Sequence, residues 1–150
     1  MLVVLACCQV FAQDKQLSLN DFFVTGTFRT QGVQGLRSMN DGEHYTVVEG
    51  GGKRIVKYSY KTGLPVGELI DLSKIENCPI QYIEDYTFNA NESRLLICTN
   101  IRPIYRRSFT ADYYIYDFKN KEIKPLSEGG SQQLATFSPD GLRIAFVRNN

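Results

Sequence analysis

One turn motif recurs along this chain at a nearly constant interval, and that interval limits the architectures open to it. The run Phe137-Ser138-Pro139-Asp140-Gly141-Leu142-Arg143-Ile144-Ala145-Phe146-Val147 overlays Phe88-Asn89-Ala90-Asn91-Glu92-Ser93-Arg94-Leu95-Leu96-Ile97-Cys98 without a gap, and a weaker copy begins at Ser38 and ends at Val48. The copies lie about 50 residues apart, a spacing typical of repeat architectures. Each reads as strand, polar turn, strand. In Ser138-Pro139-Asp140-Gly141 the proline presets φ and the glycine supplies the permissive position that a tight turn requires.

A second pair of strand-like runs comes after each full copy. Arg54 to Tyr60 leads through Lys61-Thr62-Gly63 to Val66–Ile70, and Asp112 to Asp117 leads through Lys119-Asn120-Lys121 to Ile123–Leu126. Alternation with period two and β-branched or aromatic residues mark these as strands. Four short antiparallel strands in every ~50 residues is the pattern of a propeller blade. A sandwich also has short strands and turns, but it does not repeat one turn motif at a fixed period. The expected fold class is therefore all-β: an incomplete β-propeller of about two and a half blades of four-stranded antiparallel sheet. The propeller part is expected over residues 13–150, cut off within the third blade. One short helix is expected near Leu17–Phe23, where Ser18 and Asp21 have the spacing of a capping box.

Residues 1–12 differ in character from the rest of the chain. Leu2-Val3-Val4-Leu5-Ala6-Cys7-Cys8 is apolar but too short to span a bilayer. Val10-Phe11-Ala12 then places small residues at the −3 and −1 positions of a signal-peptidase site, with cleavage expected before Gln13. A charged segment before the apolar run is missing, so the leader is expected to start upstream of Met1. An exported protein, periplasmic or secreted, is the reading. Cys78 and Cys98 remain after cleavage. An oxidising compartment permits them to pair, while the apolar run around Cys98 equally suits a buried free thiol.

Charge and motif content exclude several functions. Lys and Arg total 17 against 16 Asp and Glu, a net charge of +1, so no nucleic-acid partner is expected. The single histidine, His44, has no nucleophile pattern near it and reads as structural. One histidine and two widely spaced cysteines form no metal site, and no cofactor is expected. Gly129-Gly130-Ser131-Gln132-Gln133 lacks the last glycine of a nucleophile elbow. Gly50-Gly51-Gly52-Lys53-Arg54 lacks the leading glycine and trailing hydroxyl of a phosphate loop and reads as a hairpin turn. Asn91-Glu92-Ser93 is a formal glycosylation sequon, but turn chemistry already accounts for its asparagine. Glu84 and Asp85 are adjacent in a strand and so face opposite ways, which rules out a carboxylate pair.

The second repeat is longer than the first by about six residues, inserted around Asn100 to Thr110, and the insertion holds Arg102, Arg106 and Arg107. Binding residues concentrate on such loops carried by a rigid scaffold. The segment Tyr105-Arg106-Arg107-Ser108-Phe109-Thr110-Ala111-Asp112-Tyr113-Tyr114-Ile115-Tyr116-Asp117 resembles the dipeptidyl peptidase IV family of serine peptidases. There an aromatic-Arg-x-Ser-aromatic-Thr-Ala-x-Tyr-x-Ile-Tyr-Asp run lies in the second blade. Leu17-Ser18-Leu19-Asn20-Asp21, Asp85-Tyr86-Thr87-Phe88, Thr136 to Gly141 and Ile144 to Asn150 fit the same N-terminal propeller region, so the resemblance covers most of residues 17–150.

The resemblance implies an eight-bladed propeller over an α/β-hydrolase domain with a Ser-Asp-His triad. Dipeptides would be released after a penultimate Pro or Ala, making peptide substrates and the hydrolase domain the implied partners, with a homodimer also open. It implies that Arg106, at the position after the aromatic residue, contacts a substrate backbone carbonyl. A planar, permanently charged guanidinium suits that task. Animal members have His where this chain has Arg107, which leaves the two arginines to be distinguished. The family's Glu-Glu pair, triad and oxyanion hole have no counterpart in this sequence, so no catalytic residue is expected within it. A non-catalytic periplasmic propeller working through protein–protein contact is the rival reading; the arginine hairpin favours the peptidase.

Overall fold

The computed structural model describes residues 17–29, 32 and 35–148, so the leader expected over 1–12 lies outside the described residues. The chain divides into two compact units, Met1–Gly32 and Val33–Asn150. In the first, helix α1 (Leu19–Phe23) is held by the capping box read from the sequence. The Ser18 amide donates to Asp21 Oδ2 at 2.9 Å, and the Asp21 amide donates back to Ser18 Oγ at 3.3 Å. Two otherwise orphaned N–H groups are thereby satisfied. Phe22 and Phe28 stack with ring centroids 4.8 Å apart.

The second unit is built of antiparallel strands. The first blade comprises β1 (Arg37–Ser38), β2 (His44–Glu49), β3 (Arg54–Ser59) and β4 (Pro65–Asp71), hydrogen-bonded in chain order. The second comprises β5 (Asp85–Phe88), β6 (Arg94–Tyr105), β7 (Ser108–Asp117) and β8 (Glu122–Pro125), again in order. A hairpin of β9 (Gln132–Phe137) and β10 (Ile144–Arg148) comes next. It joins the second sheet through one backbone pair, Ala111 with Gln132, giving a six-stranded sheet. This is an all-β, incomplete propeller of two four-stranded blades and the opening hairpin of a third.

The run Leu95-Leu96-Ile97-Cys98 does not alternate with polar residues, and the packing explains why. Leu95 and Ile97, both fully buried, join Ile55, Ile70, Tyr86 and Tyr116 in a core between the first two blades. Leu96 and Cys98 face the other way and pack with Ala111 and Tyr113 against Phe137 and Ile144 of the third hairpin. A central strand covered on both faces has no solvent side to make polar. Burying each such aliphatic side chain contributes roughly 1.5–3 kcal/mol.

The repeated turns also touch one another. The Asn40 amide donates to Glu92 Oε1 at 2.6 Å, and Asn40 Nδ2 donates to the Ala90 carbonyl at 2.9 Å. One repeat on, Asn89 Nδ2 donates to the Gly141 carbonyl at 3.4 Å. Gly141 has φ +70°, and a Cβ there would lie 3.0 Å from the Ala90 nitrogen. The first two blades are further tied by Tyr86 on β5. Its hydroxyl donates to the Gly35 carbonyl at 2.7 Å and shares a 2.6 Å hydrogen bond with Thr46 Oγ1 on β2.

Candidate functional site

The β6–β7 ribbon outruns the rest of its blade. Strand β5 starts opposite Cys98 and β8 pairs only with Tyr114 to Asp117, so beyond Thr99 and Asp112 neither flanks the ribbon. There the register breaks. Thr99 pairs with Asp112 and the next pair is Arg102 with Thr110, which leaves Asn100 and Ile101 opposite Ala111 alone. This is a β-bulge, a device that bends a strand and turns the segment beyond it. Asn100 takes φ +54°, a conformation asparagine tolerates better than most residues. Ala111 uses its backbone to bridge to Gln132 on β9.

Side chains hold the bulge where the ladder does not. The Ile101 amide donates to Glu84 Oε2 at 2.7 Å. Asp112 collects three donors: Asn100 Nδ2 at 2.9 Å, Arg102 Nη2 at 3.3 Å and Ser131 Oγ at 3.1 Å. Arg102 Nη1 donates to Ser131 Oγ, and Tyr82 donates its hydroxyl to Asn100 Oδ1 at 3.2 Å. Gln132 is buried and its Oε1 accepts from the Tyr113 amide at 3.1 Å, which fixes the start of β9 against β7.

Beyond the bulge the ribbon ends in a two-residue turn. Tyr105 pairs with Ser108, and Arg106 and Arg107 form the tip. Both are exposed, and neither guanidinium has a hydrogen-bond or ion-pair partner among the described residues. The three arginines of the insertion thus separate: Arg102 anchors the hairpin, while Arg106 and Arg107 project from it. The neighbouring Tyr105 is 81% exposed and Ile104 45%. A free, permanently charged fork beside an exposed aromatic ring can bind a carbonyl or carboxylate group of an extended peptide.

The remaining residues singled out in the sequence have structural roles. His44 Nδ1 lies 2.7 Å from Asp41 Oδ2, which also accepts from Lys57 Nζ at 3.2 Å. Partial desolvation pushes the Asp41 pKa up, but hydrogen bonds from His44, Lys57 and two backbone amides outweigh it and hold the carboxyl below its ordinary value. Glu84 lies in the bend before β5 and not in the strand, while Asp85 opens β5, and the two take different partners: Glu84 serves the bulge, and Asp85 pairs with Arg37 Nη2 at 2.6 Å. Cys78 and Cys98 are free thiols. Burial, ahead of nearby carboxylates, pushes the Cys98 pKa up to about 12, so it is inert near neutrality. Gly50, Gly51 and Gly52 all have positive φ in the β2–β3 turn, and Asn91 caps the β5–β6 turn by accepting from the Ser93 amide at 3.2 Å.

Three comparisons bear on what this scaffold is. A family model described as the dipeptidyl peptidase IV N-terminal region matches residues 89–150, the span that contains the hairpin. The crystal structure of Porphyromonas gingivalis dipeptidyl peptidase 4 superposes on 91% of the chain with a TM-score of 0.80 and 38% sequence identity. What this chain matches is the N-terminal region of the dipeptidyl peptidase IV family. Among curated members of that family, a probable dipeptidyl peptidase 4 of Emericella nidulans is 33% identical over 146 residues. One of Neosartorya fischeri is 42% identical over 67 residues, 43% of the chain. The match takes in 93% of this chain but 18% of the Emericella protein, and 20% of the Porphyromonas chain. The chain therefore spans about a fifth of the length of these dipeptidyl peptidase IV relatives.

Proposed function

We propose that this chain is the substrate-positioning propeller region of an exported serine dipeptidyl peptidase that releases X-Pro or X-Ala dipeptides from peptide N-termini. The observation that carries the reading is the Arg106 tip: a guanidinium without a partner among the described residues, on a hairpin braced at its base by Glu84, Asp112 and Gln132. In this reading the nucleophile, its base and the oxyanion donors belong to the length that the relatives have and this chain does not span. The propeller admits and orients the peptide, and Arg106 donates hydrogen bonds to a backbone carbonyl. Export is inferred from the leader read at Val10-Phe11-Ala12.

The test is kcat/KM on an Ala-Pro chromogenic substrate with the full-length protein. Loss of one charged hydrogen bond costs ~1.5–3 kcal/mol, so Arg106→Ala should lower kcat/KM roughly ten- to hundred-fold at an unchanged melting temperature. Arg106→Lys should recover only part, because an ammonium lacks the fork geometry. Arg107→Ala separates the two tip residues. If it alone carries the loss, the contact belongs to Arg107; if neither variant matters, the hairpin does not bind substrate.

A further inference from the structure

The bulge raises a question that the tip alone does not answer: what keeps Arg106 pointing in one direction. Between the Thr99–Asp112 pair and the Arg102–Thr110 pair the two strands are out of register, and β5 and β8 do not reach that far. A two-stranded ribbon interrupted by a bulge is a natural hinge, and everything from Arg102 to Phe109 lies beyond it.

We propose that Asp112 is a positioning residue for Arg106, fixing together with Glu84 the angle at which the arginine hairpin leaves its blade. The inference rests on the reading that Arg106 meets substrate. Glu84 takes the Ile101 N–H that the bulge releases from the ladder. Asp112 spans the hinge: its Oδ2 accepts from Asn100 within the bulge and from Arg102 just beyond it, and its Oδ1 accepts from Ser131 on the approach to β9. Blade body, hairpin and third-blade connection therefore meet on one carboxylate. The Arg102 side chain is 58% exposed, and an ion pair that open to solvent contributes little to stability. Its consequence is directional: three fixed acceptor contacts select one hinge angle from the several a bulged ribbon can take.

A double-mutant cycle in the full-length protein tests this. Asp112→Ala, Arg106→Ala and the double variant are compared by kcat/KM on an Ala-Pro chromogenic substrate, with melting temperatures alongside. If Asp112 acts through Arg106, Asp112→Ala should lose about tenfold alone and almost nothing further in the Arg106→Ala background, since residues acting as a unit are non-additive. Asp112→Asn retains an acceptor oxygen and should recover part of the loss; it also stands in if the alanine variant fails to fold. Additive losses in the double variant would overturn the inference while leaving the Arg106 reading intact, as would an Asp112→Ala enzyme within about twofold of the parent. A silent Arg106→Ala would end both.

Discussion

Tyr86 shows how much one side chain can specify in this fold. It sits at the first position of β5 to be fully buried, 1% exposed, and its hydroxyl joins the Gly35 carbonyl to Thr46 on the neighbouring blade. Its ring also lies under the Arg37 guanidinium, 5.7 Å from the centroid. Tyr86→Phe keeps the ring and leaves buried acceptors unpaired, so it should destabilise the protein by about 1–3 kcal/mol. A lowered thermal midpoint with unchanged β-sheet circular dichroism is the expected result. At this scale much was legible: the capping pair Ser18 and Asp21 and the turn glycines both come from spacing. What was not legible is which arginine of the cluster is free. Arg102, Arg106 and Arg107 are alike in the sequence, and only the register, with Arg102 opposite Thr110 beside Asp112, makes one of them an anchor.

At the level of elements, the turns between strands carry aspartates whose carboxylates are spent on local donors. Asp71 accepts from the Ser73 hydroxyl and amide, Asp117 from the Asn120 amide and Arg94, and Asp140 from the Ser138 hydroxyl and the Leu142 amide. In each case these hydrogen bonds hold the pKa below its ordinary value of 3.8. A depressed folded-state pKa contributes stability that is fully present above the unfolded value and is lost as pH falls through the folded one. The melting temperature should therefore be level down to about pH 5 and decline below about pH 4. Differential scanning calorimetry from pH 6 to 2 measures it, and a fall that begins near pH 6 would point to another group. The repeat itself announced the blades, because a turn that must stack on its neighbour, as Asn40 does on Ala90 and Asn89 on Gly141, keeps its chemistry and its spacing. The bulge gave no such sign. The six-residue excess was visible, but Glu84, Asp112 and Ser131 are far apart in sequence and are united only by the fold.

For the molecule as a whole, stability depends on each blade covering its neighbour. The third hairpin leaves Leu134 and Leu142 about three-quarters exposed, along with Val147 and part of Phe146. Apolar side chains of that size beside an unpaired strand edge invite association. Residues 13–150 expressed alone are thus expected to aggregate or remain partly unfolded. Sedimentation should show species larger than a monomer; a sharp cooperative melt of a monomer would contradict this. The same division of labour has a consequence for how such a protein can change. Leu95, Ile97 and Tyr113 lie in the blade body, on the near side of the bulge, whereas residues 102–109 lie past it and bury little. The hairpin is in effect an exchangeable cassette. Its tip can be lengthened, shortened or recoded from two arginines to another pair without repacking a single core residue, so its reach and chemistry can drift in evolution, or be grafted by design, on a scaffold that does not register the difference.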